Sequence, residues 1–145
     1  LLSIVQPDRA YFGQKDAQQL LVVRRLNADL NLGAEIVAVP TVREADGLAL
    51  SSRNAYLDDL ERKAATVLHR SLRLARRLWE EGQTDTAEVE RRMRALISEE
   101  PLASIDYVGT AAPETLEELD TPAPKALVSL AVRIGKTRLI DNITL

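Results

Sequence analysis

The stretch that decides the fold runs from residue 16 to residue 40 and reads DAQQLLVVRRLNADLNLGAEIVAVP. Its apolar side chains recur at helical spacing, as Leu20, Val23, Leu26 and Leu30. Asp16 followed by Gln19 resembles a capping box at the start of this helix, and Asn31-Leu32-Gly33 is a stop signal at its end. A β-rich run, Glu35–Val39, then follows and is closed by Pro40.

Another apolar run precedes the helix, at Leu1–Val5. Its length and composition favour a strand buried on both faces, as in a parallel sheet. No initiator methionine, charged leader or signal cleavage site accompanies it, so we expect a strand from the interior of a longer protein. Strand, helix and strand within about forty residues predict a βαβ unit with parallel pairing and a right-handed crossover.

The pattern changes near residue 57. Two helices are predicted beyond it, which begin at the capping residues Asp58 and Asp85 and end near Gly82 and Pro101. Strands are predicted at 105–109, 126–134 and 138–144, the last two joined by a hairpin turn at Gly135. The sequence thus predicts an α/β protein, with part of a parallel sheet in residues 1–57 and a small α+β domain with antiparallel strands in residues 58–145.

Composition excludes several classes of function. The 145 residues are 46% hydrophobic and 28% charged, as in ordinary soluble globular proteins. There is no cysteine and one histidine, so the chain offers no thiol nucleophile, no Cys-ligated zinc and no multi-histidine metal site. No run approaches the ~18 apolar residues of a membrane span. A net charge of −3 lacks the basic footprint of a nucleic-acid binder.

The first candidate site lies at residues 12–19, where a strand leads into a helix. Ligands of open parallel sheets bind outside the carboxyl ends of strands, and a helix N-terminus there favours an anion. Gly13 lets a ligand approach the backbone, Lys15 offers a charge to phosphate, and Asp16 and Gln19 can receive hydroxyl groups. The alternative is structural: Asp16 and Gln19 form a simple cap, and Lys15 is a solvated residue of the first turn.

The second candidate site is Ser51-Ser52-Arg53-Asn54, on an irregular stretch that includes Gly47. Two hydroxyls beside a guanidinium suit polyphosphate recognition, because arginine grips phosphate through parallel hydrogen bonds. The alternative is that Ser and Asn only form a turn before the next helix. Both candidate sites follow strands of one βαβ unit, so we expect them at the same edge of the sheet.

Two other polar positions are expected to be structural. His69 lies mid-helix and has no serine partner in any recognisable motif. Asp141-Asn142 is expected at a turn or a strand end. The arginine-rich faces of the two predicted C-terminal helices have acidic neighbours, which favours solvated surfaces over a binding site.

Four strings together resemble the pantoate–β-alanine ligase family over essentially the whole chain. They are Gln6-Pro7-Asp8, the stretch from Phe12 to Gln19, the stretch from Val39 to Asn54, and Arg138-Leu139-Ile140-Asp141-Asn142. The resemblance implies a Rossmann-like nucleotidyltransferase domain that ends in residues 1–57. It also implies a C-terminal domain, lid-like or dimer-associated, in residues 58–145. A cytoplasmic homodimer is expected.

The family's reaction gives each matched residue an expected role. Pantoate attacks the α-phosphate of Mg-ATP to give pantoyl adenylate and pyrophosphate, and β-alanine then displaces AMP to give pantothenate. The resemblance implies that Gly13 and Asp16 hold the ribose and that Gln19 binds pantoate. Backbone around Val42 and Leu50 is expected to contact adenine. The phosphates are expected to be held by the following four residues: Lys15, Ser51, Ser52 and Arg53.

The family's His-x-Gly-His motif, a second pantoate-binding glutamine and acidic residues near magnesium have no counterpart in these 145 residues. We therefore expect the Mg²⁺ ligands outside this chain and no ligase activity from the isolated chain. Two alternatives stay open. Residues 58–145 could act as a self-associating assembly module, or the chain could be a generic nucleotide-binding module of another nucleotidyltransferase.

Overall fold

A computed structural model describes residues 1–119 and 123–145. Their contacts divide them into two compact units, Leu1–Thr41 and Val42–Leu145. The division falls before the loop of residues 42–57, which the sequence assigned to the first domain. The loop belongs to the second unit because Leu48 and Ala49 are buried in it. How the intact protein divides into a nucleotide-binding and a C-terminal domain stays a prediction.

The first unit contains the predicted parallel strand pair, with one strand displaced. Strand β1 (Arg9–Gly13) runs parallel to strand β2 (Glu35–Val39), with Arg9 opposite Glu35 and Gly13 opposite Val39. Helix α2 (Ala17–Asp29) connects them, after a short 3-10 turn at Gln14–Asp16. The βαβ unit is confirmed, and both candidate sites follow its strands in sequence.

The prediction of a buried strand at Leu1–Val5 is wrong. Leu2–Val5 forms a single helical turn, α1, which ends at Gln6 in the left-handed region with φ 47°. Leu1 and Ile4 are 90% and 85% exposed, so this run is not part of a core. A five-residue apolar run has no period that separates strand from helix, and here the backbone groups are paired within the turn.

The second unit packs helices on one antiparallel sheet. Helix α3 (Asp59–Ala64) leads almost directly into α4 (Thr66–Glu80), and α5 (Thr86–Ser98) follows. The sheet has the order β3-β4-β5. Its strands are β3 (Ala103–Ala111), β4 (Leu127–Ile134) and β5 (Thr137–Thr144). The three predicted strands and the two capped helix starts are confirmed, although the first helix is divided at Ala65.

The core of this unit lies between the two long helices and the sheet. Its largest fully buried side chains come from α4, α5 and β4: Leu68, Leu72, Met93, Ile97, Leu130 and Ile134. Among the described residues, no helix has the combined length and apolar character that crossing a membrane requires. The loop of residues 42–57 packs on this core through the buried side chain of Leu48.

Candidate functional site

The first candidate site follows strand β1. Gly13 is its last residue and has ordinary extended backbone angles, and a Cβ placed there would meet no atom within 4 Å. Lys15 is half-buried, whereas Asp16 and Gln19 are exposed. The space over Gly13 is therefore open, and the polar side chains stand around the start of α2.

The expected capping box at Asp16 is wrong. Asp16 precedes α2 with φ −95° and ψ 59°, and its side chain makes no capping hydrogen bond. A capping residue needs an extended backbone to turn its carboxylate onto the helix N–H groups, and the 3-10 turn before α2 denies Asp16 that conformation. The structural interpretation, in which Asp16 and Gln19 only cap the helix, therefore lacks the capping hydrogen bond from Asp16 that it needs.

The second candidate site is carried by a small hairpin of residues 42–50. Arg43 and Ala49 pair as an antiparallel bridge, and the Leu50 N–H donates to the Val42 carbonyl at 2.9 Å. Leu48 is buried in the core of the second unit and anchors one arm. The side chains of Val42 and Leu50 stay 60% and 51% exposed, so they form an apolar step beside the residues that follow.

Ser51, Ser52 and Arg53 come directly after this hairpin. Ser51 is extended, and its hydroxyl accepts a hydrogen bond from the Arg53 N–H at 3.3 Å as the 3-10 helix Ser52–Tyr56 begins. Ser52 and Arg53 are exposed. Within residues 1–119 and 123–145, the Arg53 guanidinium has no hydrogen-bond or ion-pair partner, so its charge is available to a ligand.

The motif residues around the turn hold it in place. The Asn54 amide donates to the Glu44 carboxylate at 3.1 Å and to the Ala49 carbonyl at 3.2 Å. Arg62 of α3 donates to both Glu44 and Asp46, at 2.8 Å and 2.6 Å. These contacts join the hairpin tip, the turn and α3 in one polar network.

The same network sets the charge state of the hairpin tip. Hydrogen bonds from Arg62 hold the pKa of Glu44 and that of Asp46 below their ordinary values. Both carboxylates therefore stabilise the folded state at pH values above their ordinary pKa values. This contribution is lost as the pH falls through the lowered pKa values of the folded state. At neutral pH the tip is fully charged and paired.

The other side of the hairpin is tied to the sheet by an ion pair that sequence reasoning missed. Arg43 binds the Asp141 carboxylate through two hydrogen bonds, of 2.6 Å and 3.0 Å, and also donates to the Gly47 carbonyl at 3.1 Å. Asp141 was expected at a turn or strand end, but it lies within β5 and only 1% of its side chain is exposed. A signal was present, because an aspartate buried within a strand needs a pairing or hydrogen-bonding partner.

Gly47 fits closely against His69 of α4. It has φ +92°, and a Cβ there would lie 2.0 Å from the His69 ring. His69 is half-buried, as expected of a structural residue. Burial, with Arg43 nearby, lowers the pKa of His69 below its ordinary value, so its neutral form faces the hairpin at neutral pH.

The predicted site residues fall in two groups. Gly13, Lys15, Asp16 and Gln19 belong to the first unit, and Val42, Leu50 and Ser51-Ser52-Arg53 belong to the second. The structure brings residues together within each group. That the two groups meet at one nucleotide stays a prediction.

Comparison with known proteins identifies the family. The sequence model of the family described as "Pantoate-beta-alanine ligase" matches residues 1–144. The chain belongs to this family. Among its relatives, pantothenate synthetase of Roseiflexus sp. is 57% identical over 145 residues, which are 100% of this chain and 52% of the relative. Pantothenate synthetase of Heliobacterium modesticaldum is 56% identical over 142 residues, 98% of this chain and 50% of that one.

Solved structures of the family agree. Pantothenate synthetase from Thermus thermophilus superposes with a TM-score of 0.91 at 48% identity, over 97% of this chain and 50% of that one. Pantoate-beta-alanine ligase from Francisella tularensis, complexed with beta-gamma ATP and beta-alanine, gives a TM-score of 0.65 at 29% identity, over 98% and 45%. The chain thus spans about half the length of the relatives it matches.

The fit between Gly47 and His69 can be tested by substitution. Gly47→Ala is expected to lower the free energy of unfolding by at least about 2 kcal/mol, from a left-handed backbone cost of ~1–2 kcal/mol and an overpacking cost of ~1–3 kcal/mol. Gly82→Ala is the matched control, because Gly82 has φ +89° and open space around its Cβ position. Urea unfolding of the intact protein measures both. Equal losses would show that His69 does not confine Gly47.

Proposed function

We propose that this chain is part of an AMP-forming ligase that condenses pantoate with β-alanine using ATP. The observation that carries the proposal is the Ser51–Arg53 turn, in which Ser52 and Arg53 are exposed directly after a hairpin that hydrogen bonds tie to α3 and to the sheet. Family membership and the ATP and β-alanine bound in the Francisella tularensis relative support it. A cytoplasmic homodimer and an adenylate intermediate belong to the same proposal.

The proposed chemistry has two steps. A pantoate carboxylate oxygen attacks the α-phosphorus of ATP, the bond between the α-phosphorus and the bridging oxygen breaks, and pyrophosphate leaves. The β-alanine amine then attacks the acyl carbon of pantoyl adenylate. AMP leaves with the electron pair of the acyl–oxygen bond, and the attacking neutral amine loses one proton to solvent as the amide N–H forms.

The chain's own residues meet the charge demands of the first step. Negative charge grows on the α-phosphate and on the departing pyrophosphate, and preorganised donors stabilise it most when they need not move. We assign this work to Lys15 and to Ser51, Ser52 and Arg53. The open backbone at Gly13 and the Asp16 carboxylate suit a ribose, and the Gln19 amide suits pantoate.

The apolar step formed by Val42 and Leu50 suits the adenine. Both side chains are more than half exposed although they are apolar, and a flat base laid on them would remove that surface from water. Their backbone groups bond to each other across the hairpin, which fixes the position of the step next to Ser51.

Magnesium belongs to the proposal as part of the substrate Mg-ATP. Within residues 1–119 and 123–145, no group of three or more His, Cys, Asp and Glu side chains is arranged to hold a metal ion. That the Mg²⁺ ligands lie outside this chain stays a prediction.

Self-association, expected above of residues 58–145, is a second candidate, but the exposed apolar stripe that favours it lies in the first unit. Val22, Leu26 and Leu30 follow one another at four-residue spacing and are 59%, 46% and 60% exposed. Tyr11 of β1 is 63% exposed. Adjacent exposed apolar side chains favour burial against another surface, and the chain with these exposures spans about half of its relatives' length.

Substitution of Arg53 tests the ligase assignment. In the intact protein, Arg53→Ala is expected to slow pantoyl adenylate formation by ~10²–10³, the usual cost of one lost transition-state donor. The dependence of the second step on the β-alanine concentration is expected to be the same in the variant and in the parent. Single-turnover kinetics measure the first step, and Arg70→Ala, an exposed arginine on α4, is the control. An unchanged rate of adenylate formation would remove Arg53 from the site.

The isolated chain is expected to turn over neither ATP nor pantoate, because it spans about half of its relatives' length. An assay for pyrophosphate release with ATP, pantoate and Mg²⁺ checks this, with the intact protein as the positive control. Turnover by the 145-residue chain would show that these residues suffice for catalysis.

The exposed apolar stripe of Val22, Leu26 and Leu30 predicts that the isolated chain self-associates. Sedimentation equilibrium is expected to show dimers or larger species, and Leu26→Lys, on the stripe, is expected to weaken them. Ala28→Lys, at an exposed position of α2 off the stripe, is the control and should leave association unchanged. A monomer at high concentration would contradict the assembly candidate.

A further inference from the structure

The Arg43–Asp141 ion pair places a charged carboxylate in the interior of the second unit. Asp141 has a 1% exposed side chain, and its carboxylate takes two hydrogen bonds from Arg43 and one from the Asn142 N–H at 2.8 Å. Arg43 itself is 23% exposed in its side chain. The carboxylate is thus fully engaged and closed to solvent.

Stability alone does not explain such a pair. Burying two charges costs much of what their attraction returns, and apolar residues of similar volume often serve a fold as well or better. An arginine–carboxylate pair with two parallel hydrogen bonds does fix the distance and the orientation between its two side chains. The pair therefore fixes where the hairpin lies on the sheet.

A short chain of contacts leads from this pair to the turn. Arg43 lies in one arm of the hairpin and pairs across it with Ala49, two residues before Ser51. The Asn54 amide, one residue beyond Arg53, donates to the Ala49 carbonyl. Strand β5, which carries Asp141, packs on the 3-10 helix Ser52–Tyr56. The turn is therefore fixed at both its ends to elements that the pair holds.

We propose that Arg43 and Asp141 are positioning residues for adenylate formation, which hold Ser51, Ser52 and Arg53 at the triphosphate without touching it. The inference rests on the proposed function, since it assigns a task within that same site. A shift of the turn by about 1 Å can cost on the order of 10² in rate. We expect the second step to depend much less on the turn, because pyrophosphate has already left and only the α-phosphate remains beside it.

Asp106 provides a matched control. It is an aspartate of the same sheet that accepts from two arginines, Arg133 at 3.1 Å and Arg138 at 2.7 Å. Its side chain is 27% exposed and its contacts do not involve the hairpin. Asp106→Asn removes the same charge from the same unit and tests the effect of a lost aspartate alone.

The experiment uses the intact protein and separates the two half-reactions. Single-turnover formation of pantoyl adenylate is measured first, and the accumulated adenylate is then chased with β-alanine. For Asp141→Asn we expect adenylate formation to slow about 100-fold, while the chase rate per adenylate formed changes by much less. Asp106→Asn is expected to leave both rates unchanged.

Arg43→Lys keeps the proposal testable should Asp141→Asn fail to fold. Lysine keeps the charge but is a point donor that cannot hold both carboxylate oxygens, so we expect a loss on the order of tenfold in adenylate formation only. Equal losses in both half-reactions, or no loss with a folded variant, would overturn the positioning role. A parent protein without ligase activity would instead overturn the proposed function.

Discussion

A guanidinium held by a buried carboxylate is the constraint on which the rest of the candidate site depends. Asp141 lies in the third strand of the sheet, and Arg43 reaches it from a hairpin almost a hundred residues earlier in the chain. Since the carboxylate is buried, the paired hydrogen bonds fix the distance and orientation of Arg43 relative to the sheet. Hydrogen bonds thus connect the sheet, the hairpin and the turn after it.

The long motif from residue 41 to residue 54 contains residues that stabilise the hairpin and residues that face the solvent. The charged groups of Arg43, Glu44 and Asp46 and the amide N–H groups of Asn54 are hydrogen-bonded to the protein. Ser52 and Arg53 are turned to the solvent. Such a division is what preorganisation requires, because the groups that meet a developing charge do not have to move when it forms.

Several elements could be predicted because their signals are local. The helix at Ala17–Asp29 follows its apolar spacing, Asp58 and Glu61 form a complete capping box, and Gly135 marks the hairpin of β4 and β5. The Ser51–Arg53 turn was proposed as a phosphate site from two hydroxyls beside a guanidinium, and Ser52 and Arg53 are exposed in the structure. The helical turn at Leu2–Val5 was missed because five apolar residues show no period.

The remaining features depend on contacts distant in sequence. Neither Arg43 nor Asp141 indicates its partner, and only the fold brings residues 98 positions apart into one ion pair. Assignment of the loop of residues 42–57 to the second unit depends likewise on the burial of Leu48. The missing cap at Asp16 depends on a 3-10 turn that no residue pattern indicated.

The central proposal, which the structure leaves as a prediction, is that Lys15 and the Ser51–Arg53 turn bind one triphosphate. The most direct test is a crystal structure of the intact protein with a non-hydrolysable ATP analogue and pantoate. We expect the Lys15 ammonium and the Arg53 guanidinium each within about 3 Å of oxygens of the same triphosphate, at hydrogen-bond distance. A nucleotide bound by one group while the other faces a different part of the molecule would contradict the claim.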